Sequence, residues 1–226
     1  MQSSDNYFFF GASSVLAQSL IKKIIINEPN SSFYLFSKHV DKISISANKN
    51  IEIFSYKSTQ NVIKIIDGID LRNTKFFFLQ SLPEEFVHKY DLYEYFNVNT
   101  FSQIELMDYI KSKDSLSKIF YISSILSGYW YSKKYFYSTS KNIVEEYIKT
   151  NKYHNCYILK LPPFKSNLFS KSSNRIFTFK ATTIAEFIFK IIKSSSHSRD
   201  SKTYYIPSLF RLVVYFLNLF FAIIKF

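Results

Sequence analysis

The stretch YFFFGASSVLAQSL, residues 7–20, decides the fold of this chain. Its first four residues are aromatic, which predicts a strand buried on both faces, as in a parallel sheet. Gly11 then marks a turn, and an apolar pattern of helical period runs over residues 15–26. A buried strand followed directly by a helix is the first half of a β–α–β unit.

The same alternation of short apolar runs and longer helical patterns continues almost to the end of the chain. Strands are predicted at residues 33–36, 51–54, 76–79, 119–122 and 156–161, and helices at about 59–66, 91–112, 137–150 and 181–193. No internal repeat or interdomain linker interrupts this order. The pattern predicts an α/β fold in which crossover helices connect the strands of a parallel sheet.

Length and composition predict one cytoplasmic globular domain. The 226 residues suit a single domain, and 47% hydrophobic with 19% aromatic residues exclude a disordered chain. The lone Cys156 rules out an internal disulfide and fits a reducing compartment, while the N-terminus lacks the basic region of a signal peptide. The four histidines show no metal-ligand spacing with one another or with Cys156, so we expect no metal site.

The formal net charge of +12 is compatible with several kinds of anionic partner. The lysines are scattered, with no run longer than two, which favours a solvated basic surface and argues against a nucleic-acid partner. An anionic membrane surface and a phosphorylated ligand are the other two alternatives.

The last segment, residues 209–226, differs from the rest of the chain, for which we expect one domain over residues 1–208. Between Arg211 and Lys225 every residue except Asn218 is apolar or aromatic. A helix of that length spans roughly 20 Å, which is short of the roughly 30 Å core of a bilayer. We therefore expect the tail to pack on the core or on a second subunit, or to lie in the interface at the inner face of the cell membrane.

The turn that follows the first strand is a candidate phosphate site. A glycine-bearing turn between a first strand and a first helix presents free backbone N–H groups and the positive helix end to a dinucleotide pyrophosphate. The residues that could contribute to it are Gly11, Ser13, Ser14, Val15 and Leu16. In a G-x-x-x-G-x-G spacing, however, Val15 and Ala17 replace the second and third glycines, so an ordinary tight turn is the alternative.

The end of the second strand carries Ser37 and Lys38. An acidic residue at this place binds the ribose 2′-hydroxyl of NAD, whereas a basic residue accommodates the 2′-phosphate of NADP. The sequence therefore favours NADP(H) over NAD(H). The alternative is a solvated lysine at a strand end.

The stretch YFYSTSK, residues 135–141, places Tyr137 and Lys141 one helical turn apart on the same face. The same spacing occurs at Tyr34/Lys38, Tyr109/Lys113 and Tyr129/Lys133, so the spacing alone does not identify a site. Ser124 ends the strand before this stretch, thirteen residues ahead of Tyr137.

This register, together with the order of the other segments, resembles the short-chain dehydrogenase/reductase superfamily. The resemblance is carried by YFFFGASSVLAQSL, LFSK, FNVNT, IFYISS, YSTSKNIVEEY, LKLPPFKSNL and KTYYIPSLFRLVVYF, which together cover most of the chain. It implies a single Rossmann-like, doubly wound domain with a central parallel sheet of about seven strands flanked by helices.

The resemblance also implies roles for individual residues. Tyr137 would be the acid/base, whose pKa a nearby cation such as Lys141 would lower, and Ser124 would bind the substrate oxygen. Asn99 would hold a water between Lys141 and solvent, although Asn97 competes for this role. The family's Asn-Asn-Ala-Gly motif is replaced by a segment with Gln80, which with Pro162 would border the cofactor.

By the resemblance, the chain is expected to be an NADP-dependent oxidoreductase that interconverts a carbonyl and a hydroxyl. The turn and the apolar tail are similar to the branch that acts on sugars in cell-envelope polysaccharide biosynthesis, which implies a nucleotide- or polyprenyl-linked sugar as substrate. Members usually form homo-oligomers, so we expect one here. The alternative, motivated by Val15 and the lost Asn-rich motif, is a non-catalytic dinucleotide-binding or scaffold protein.

Overall fold

Strand β1 (Asn6–Phe10) lies inside a sheet, with β2 (Ser32–Ser37) on one side and β4 (Thr74–Phe78) on the other. The computed structural model describes residues 5–82, 87, 91–125, 127, 135–162, 179–195 and 201–206. The remaining strands are β3 (Ile51–Ser55), β5 (Lys118–Ser124), β6 (Cys156–Leu161) and β7 (Lys202–Tyr205).

All seven strands are parallel, in the order β3-β2-β1-β4-β5-β6-β7. This order confirms the predicted Rossmann-like α/β fold with seven strands. The order reverses between β1 and β4, which makes a crevice at the carboxyl ends of these two strands, the place where such sheets bind ligands.

Helices cover both faces of the sheet. Helices α1 (Val15–Asn27) and α6 (Ala181–Ser194) pack on one face, and α2 (Thr59–Asp67), α4 (Ser102–Lys113) and α5 (Tyr135–Thr150) pack on the other. Because successive side chains of a strand point to opposite faces, strands β1 to β6 supply both cores. One core contains Phe9 and Phe77, and the other contains Phe8 and Phe76.

Aromatic rings form a continuous row across the first of these faces. The ring centroids of Phe9 and Phe77, of Phe77 and Phe120, and of Phe120 and Tyr157 lie 4.7, 4.8 and 4.9 Å apart, with the rings stacked. Each ring belongs to a different strand, so the row joins β1, β4, β5 and β6. Stacked pairs of this kind add to the apolar burial that stabilises the sheet.

The single long helix predicted at 91–112 is interrupted in the structure. Helix α3 (Leu92–Phe96) leads into a π-helical turn over Asn97–Phe101, and α4 continues from Ser102. A π turn contains an extra residue, which shifts the hydrogen-bond pattern of the helix. Apolar periodicity does not reveal such a turn, because the residues on both sides keep a helical pattern.

The predicted tail, residues 209–226, lies outside the described residues, as does the Tyr129/Lys133 pair. Within the part of the chain that the structure describes, no helix is both long and apolar enough to cross a bilayer. In the same part, no group of three or more His, Cys, Asp or Glu side chains is arranged to bind a metal ion.

Gly11 lets two loops meet at the crevice. Its φ is +88°, and a Cβ at this position would lie 2.7 Å from the backbone nitrogen of Gln80. The backbone nitrogens of Gly11 and Ala12 donate to the carbonyl oxygen of Phe36, at 3.0 and 3.1 Å. The turn after β1 is thus held against the ends of both β2 and β4, and only glycine fits its first position.

Replacing Gly11 by alanine is expected to destabilise the fold, because the new Cβ meets Gln80 and the left-handed backbone disfavours it. We expect the free energy of unfolding, measured by urea titration, to fall by about 1–3 kcal/mol. Gly68→Ala is the matched control, since Gly68 has a φ of −84° and a Cβ added there would have its nearest neighbour at 3.7 Å. Equal effects of the two substitutions would contradict this account of Gly11.

Candidate active site

The residues predicted from the sequence as site residues gather at one edge of the sheet. Because all strands are parallel, the segments that follow β1, β2, β4, β5 and β6 emerge at the same edge. These segments carry Gly11, Ser13, Ser14, Ser37, Lys38, Gln80, Ser124 and Pro162. Tyr137 and Lys141 lie in the first two turns of α5, which follows β5.

Helix α1 begins at this edge with unpaired backbone donors. Ser14 is its N-cap, and its hydroxyl accepts a hydrogen bond from the backbone nitrogen of Ala17 at 3.2 Å. The N–H groups of Val15 and Leu16 precede the first intrahelical bond, so they have no acceptor inside the helix. The Leu16 side chain is buried in the core, which leaves its backbone as the part that a ligand can contact.

At the end of β2, Ser37 and Lys38 have different surroundings. The Ser37 hydroxyl is buried, donates to the Ser13 hydroxyl at 2.9 Å and accepts from the backbone nitrogen of His39 at 2.9 Å. Ser37 therefore joins the turns after β1 and β2. Lys38 is exposed beside this junction, so it is the cation that an anionic ligand at the edge would meet.

Gln80 is buried and already hydrogen-bonded at the end of β4. Its Oε1 accepts a hydrogen bond from the hydroxyl of Tyr56 at 2.7 Å, and its carbonyl oxygen accepts one from Gln103 Nε2 at 3.2 Å. Burial raises the pKa of Tyr56 to about 12, so this phenol is a donor at neutral pH. Tyr56 follows β3, and its bond to Gln80 therefore links the segments after β3 and β4.

Asn99 is fully buried in the π turn, and its side chain fixes the loop after β4. Its Oδ1 accepts from the backbone nitrogen of Leu82 at 2.7 Å, and its Nδ2 donates to the carbonyl oxygen of Leu82 at 3.1 Å. The Asn99 carbonyl oxygen accepts from Gln103 Nε2 at 3.1 Å. The sequence assigned Asn99 a water-holding role. That role stays a prediction; in the structure its side-chain amide binds the backbone of Leu82, which the neighbouring Asn97 does not.

Lys141 is the buried cation of the site. It is 2% exposed, and its Nζ donates to the carbonyl oxygen of Ile122 at 3.1 Å. The Nζ lies 6.0 Å from the ring centroid of Tyr137 and 5.0 Å from that of Tyr121. Both rings face the ammonium at distances that suit a cation–π contact.

Burial shifts the pKa values of this pair in opposite directions. It lowers the pKa of Lys141 to about 8, against the opposing effect of Glu145, and raises the pKa of Tyr137 to about 12. From the sequence we expected Lys141 to lower the pKa of Tyr137. In the protein alone burial raises the pKa of Tyr137, because loss of hydration disfavours the phenolate, and a lowering by Lys141 with the cofactor bound stays a prediction.

Ser124 and Pro162 close the edge beside α5. Ser124 ends β5 in register with Leu161, and its carbonyl oxygen accepts a hydrogen bond from the backbone nitrogen of Ser127 at 3.0 Å. Pro162 is buried directly after β6. Both residues thus lie at the predicted edge.

Several residues around the predicted site were not found from the sequence. They are Tyr56, Leu82 and Gln103 near the loop after β4, and Tyr121, Glu145 and Lys160 around Lys141. For Glu145 a signal exists, because it follows Lys141 by four residues on one helix face. For the others the relevant signal is strand register, which the sequence does not give.

The residues at the edge fit a dinucleotide. The unpaired N–H groups of α1, the close turn at Gly11 and the exposed Lys38 provide donors and a positive charge in one place. Val15 is the first residue of the helix, where it adds a branched side chain beside its own N–H group. Its backbone donor remains in the helical position that an anion requires.

Comparison with solved structures places the chain among known folds. A short-chain dehydrogenase from Burkholderia cenocepacia in complex with NADP superposes with a TM-score of 0.78 at 11% identity, covering 96% of this chain and 94% of that one. One from Streptomyces avermitilis superposes at 0.74 and 12% identity, covering 99% and 94%. The Bordetella bronchiseptica enzyme WbmH in complex with NAD⁺ superposes at 0.68 and 10% identity, covering 91% and 76%.

The chain has the fold of the short-chain dehydrogenases. At this identity the likeness concerns the fold, and function has to be argued from the site. No family profile and no curated protein matches the sequence itself.

Asn99→Ala is expected to lower the free energy of unfolding by about 1–3 kcal/mol, because two backbone groups of Leu82 lose their partners. Asn97→Ala is the matched control: its Oδ1 accepts only a 3.3 Å hydrogen bond from Ser102, and it should change stability by no more than about 0.5 kcal/mol. Urea unfolding of both variants measures the difference. Equal losses in the two variants would mean that the Asn99 hydrogen bonds to Leu82 do not contribute specifically to stability.

Proposed function

We propose that this protein is an NADP(H)-dependent oxidoreductase of the short-chain dehydrogenase type, which interconverts a carbonyl and a hydroxyl group. The observation that carries this proposal is the buried Lys141 beside Tyr137, at the same sheet edge as the open end of α1. Buried ionisable groups with perturbed pKa values in a ligand crevice are typical of catalytic sites.

The dinucleotide would be held by the residues at the carboxyl edge. Its pyrophosphate would accept hydrogen bonds from the N–H groups of Val15 and Leu16, and a 2′-phosphate would bind Lys38. When bound, the nicotinamide supplies or accepts the hydride. The family resemblance also implies that Lys141 fixes the nicotinamide ribose, and the Lys141 ammonium lies next to the carboxyl end of β5.

Tyr137 would be the proton donor of the reaction. At neutral pH both Tyr137 and Lys141 carry protons, since burial puts their pKa values at about 12 and about 8. In this state Tyr137 can donate its proton to a carbonyl oxygen that gains negative charge, and Ser124 can donate a hydrogen bond to the same oxygen. The Lys141 cation stabilises the phenolate that remains.

For the substrate we propose a sugar, carried on a nucleotide or a polyprenyl phosphate. This part rests on the sequence resemblance, and the net charge of +12 agrees with an anionic carrier. Assembly as a homo-oligomer and contact of the tail with a membrane belong to the same proposal.

A second candidate is a dinucleotide-binding protein without turnover, motivated by Val15 in the first turn and by the segment with Gln80 in place of the Asn-rich motif. In the structure the Gln80 side chain is already bonded to Tyr56, which joins the segments after β3 and β4. A protein of this kind would bind NADPH and show no hydride transfer with any carbonyl substrate.

Tyr137→Phe tests the oxidoreductase proposal. We expect the variant to bind NADPH as tightly as the wild type, measured by cofactor fluorescence, because the phenol does not contribute to phosphate binding. Its kcat with ketosugar substrates should fall by about 10²–10⁴-fold, since the proton donor is lost. Tyr109→Phe is the matched control, because Tyr109 stands in the same spacing to Lys113 but binds Asp67 at the surface.

Undiminished activity of Tyr137→Phe would disprove the role given to this tyrosine. Binding without turnover in the wild type, over a panel of ketosugars and simpler carbonyl compounds, would favour the second candidate. Failure of the wild type to bind either NADPH or NADH would disprove both.

Lys38→Glu tests the proposed choice of cofactor. Reversing this charge should weaken NADPH binding at least about tenfold and leave NADH binding intact, because only NADPH carries the 2′-phosphate. Lys42→Glu makes the same change of charge four residues away on an exposed helical turn, and it should affect both cofactors little. Equal weakening by the two variants would mean that Lys38 acts only through the overall positive potential of the protein and does not bind the 2′-phosphate.

A further inference from the structure

A buried chain of polar groups lies beneath the candidate active site. Glu145 is fully buried on α5, and its carboxylate accepts a hydrogen bond from the Ser123 hydroxyl. Its Oε2 forms an ion pair with Lys160 Nζ at 2.7 Å, and Lys160 donates to the Ser127 hydroxyl at 2.9 Å. Ser123 and Lys160 are register partners on β5 and β6, so one carboxylate ties α5 to both strands.

The same carboxylate is one helical turn from Lys141. Residues four apart on a helix lie on one face, and Glu145 favours the charged form of Lys141 against the effect of burial. Among the described residues, the titratable groups around Lys141 come from three elements: Tyr121 of β5, Tyr137 and Glu145 of α5, and Lys160 of β6 through Glu145. From α4, Asp108 binds the phenols of Tyr147 and Tyr153 instead.

Glu145 is therefore the one carboxylate that reaches the surroundings of Lys141 in the described part of the chain, and Lys160 competes with Lys141 for it. A buried carboxylate requires a compensating cation: Lys160 pairs with it directly, and Lys141 is one helical turn away on α5. The balance between them decides how much negative charge Lys141 experiences. Neither residue has a place in the proton transfer proposed above.

We propose that Glu145 and Lys160 form a buried pair that sets the charge of Lys141 in the candidate active site. Glu145 keeps Lys141 protonated in a site that is otherwise apolar. Lys160 limits this effect by neutralising part of the carboxylate, and with Ser123 it fixes the carboxylate in place. The significance of this pair for catalysis rests on the proposed function, whereas its effect on Lys141 does not.

The test is a titration of Lys141 by NMR in the full-length protein labelled with ¹³C at lysine Cε, in which Lys141→Arg identifies the signal. Glu145→Gln keeps the size and hydrogen-bonding shape of the side chain and removes its charge. We expect the pKa of Lys141 to fall by at least about one pH unit, because an opposite charge is lost. Glu146→Gln, the neighbouring exposed residue that pairs with Lys149, should leave the titration unchanged.

Lys160→Met gives a second and opposite test. Removing the competing cation leaves Lys141 as the nearest positive charge to Glu145, so the pKa of Lys141 should rise. Shifts of opposite sign in the two variants cannot arise from a general loosening of the fold, which would move both in one direction. An unchanged Lys141 titration in Glu145→Gln, or a fall in Lys160→Met, would overturn the proposal.

These results are separable from the fate of the proposed function. The titration needs neither cofactor nor substrate, so opposite shifts support the pair even where the wild type shows no turnover. If turnover occurs, the alkaline limb of the pH profile of kcat should move to lower pH in Glu145→Gln, in parallel with the NMR titration. A pH profile that moves while the titration stays fixed would contradict the pair without affecting the oxidoreductase proposal.

Discussion

A parallel sheet that is buried on both faces imposes one constraint on everything else in this molecule. Each connection has to cross back over a face, so every strand ends at the same edge and every helix that follows begins there. Residues that are far apart in sequence, from Gly11 to Pro162, therefore lie along one edge of the sheet. The close contact of Gly11 with the Gln80 backbone, which only glycine permits, joins the two strands where the order reverses.

The same burial that stabilises the sheet determines the chemistry at its edge. The apolar core beneath α5 leaves little polar surface around Lys141, so its buried ammonium has the carbonyl oxygen of Ile122 as hydrogen-bond acceptor. Desolvation favours the neutral forms of both side chains, so it lowers the pKa of Lys141 and raises the pKa of Tyr137. The buried Glu145 opposes this effect for the lysine. A charged group in such a place needs compensation from within the protein, and the Ser123–Glu145–Lys160 chain provides it.

Local patterns were sufficient to predict strands β1 to β6 and most of the helices, because each strand is a short apolar run and each helix keeps its own period. The last strand, β7, and the grouping of Ser124, Tyr137 and Lys141 followed from the family resemblance. Local patterns could not predict the π turn at Asn99, since one extra residue leaves the apolar pattern intact. Nor could they predict the Tyr56–Gln80 bond or the contact of Glu145 with Lys160, because these pairs depend on strand order and register rather than on spacing.

The tyrosine–lysine spacing shows why environment rather than pattern identifies a site. Tyr109 and Lys113 have the same spacing as Tyr137 and Lys141, but both bind the carboxylate of Asp67 at the protein surface. Lys38 follows Tyr34 beyond the end of β2 and is exposed. Only the pair on α5, among those in the described part of the chain, combines burial of the cation with a position at the carboxyl edge. The surface ion pair with Asp67 neutralises the charge of Lys113, so that charge is not available to a ligand. A buried lysine beside a phenol, stabilised through a carboxylate one turn away, can still respond to a substrate.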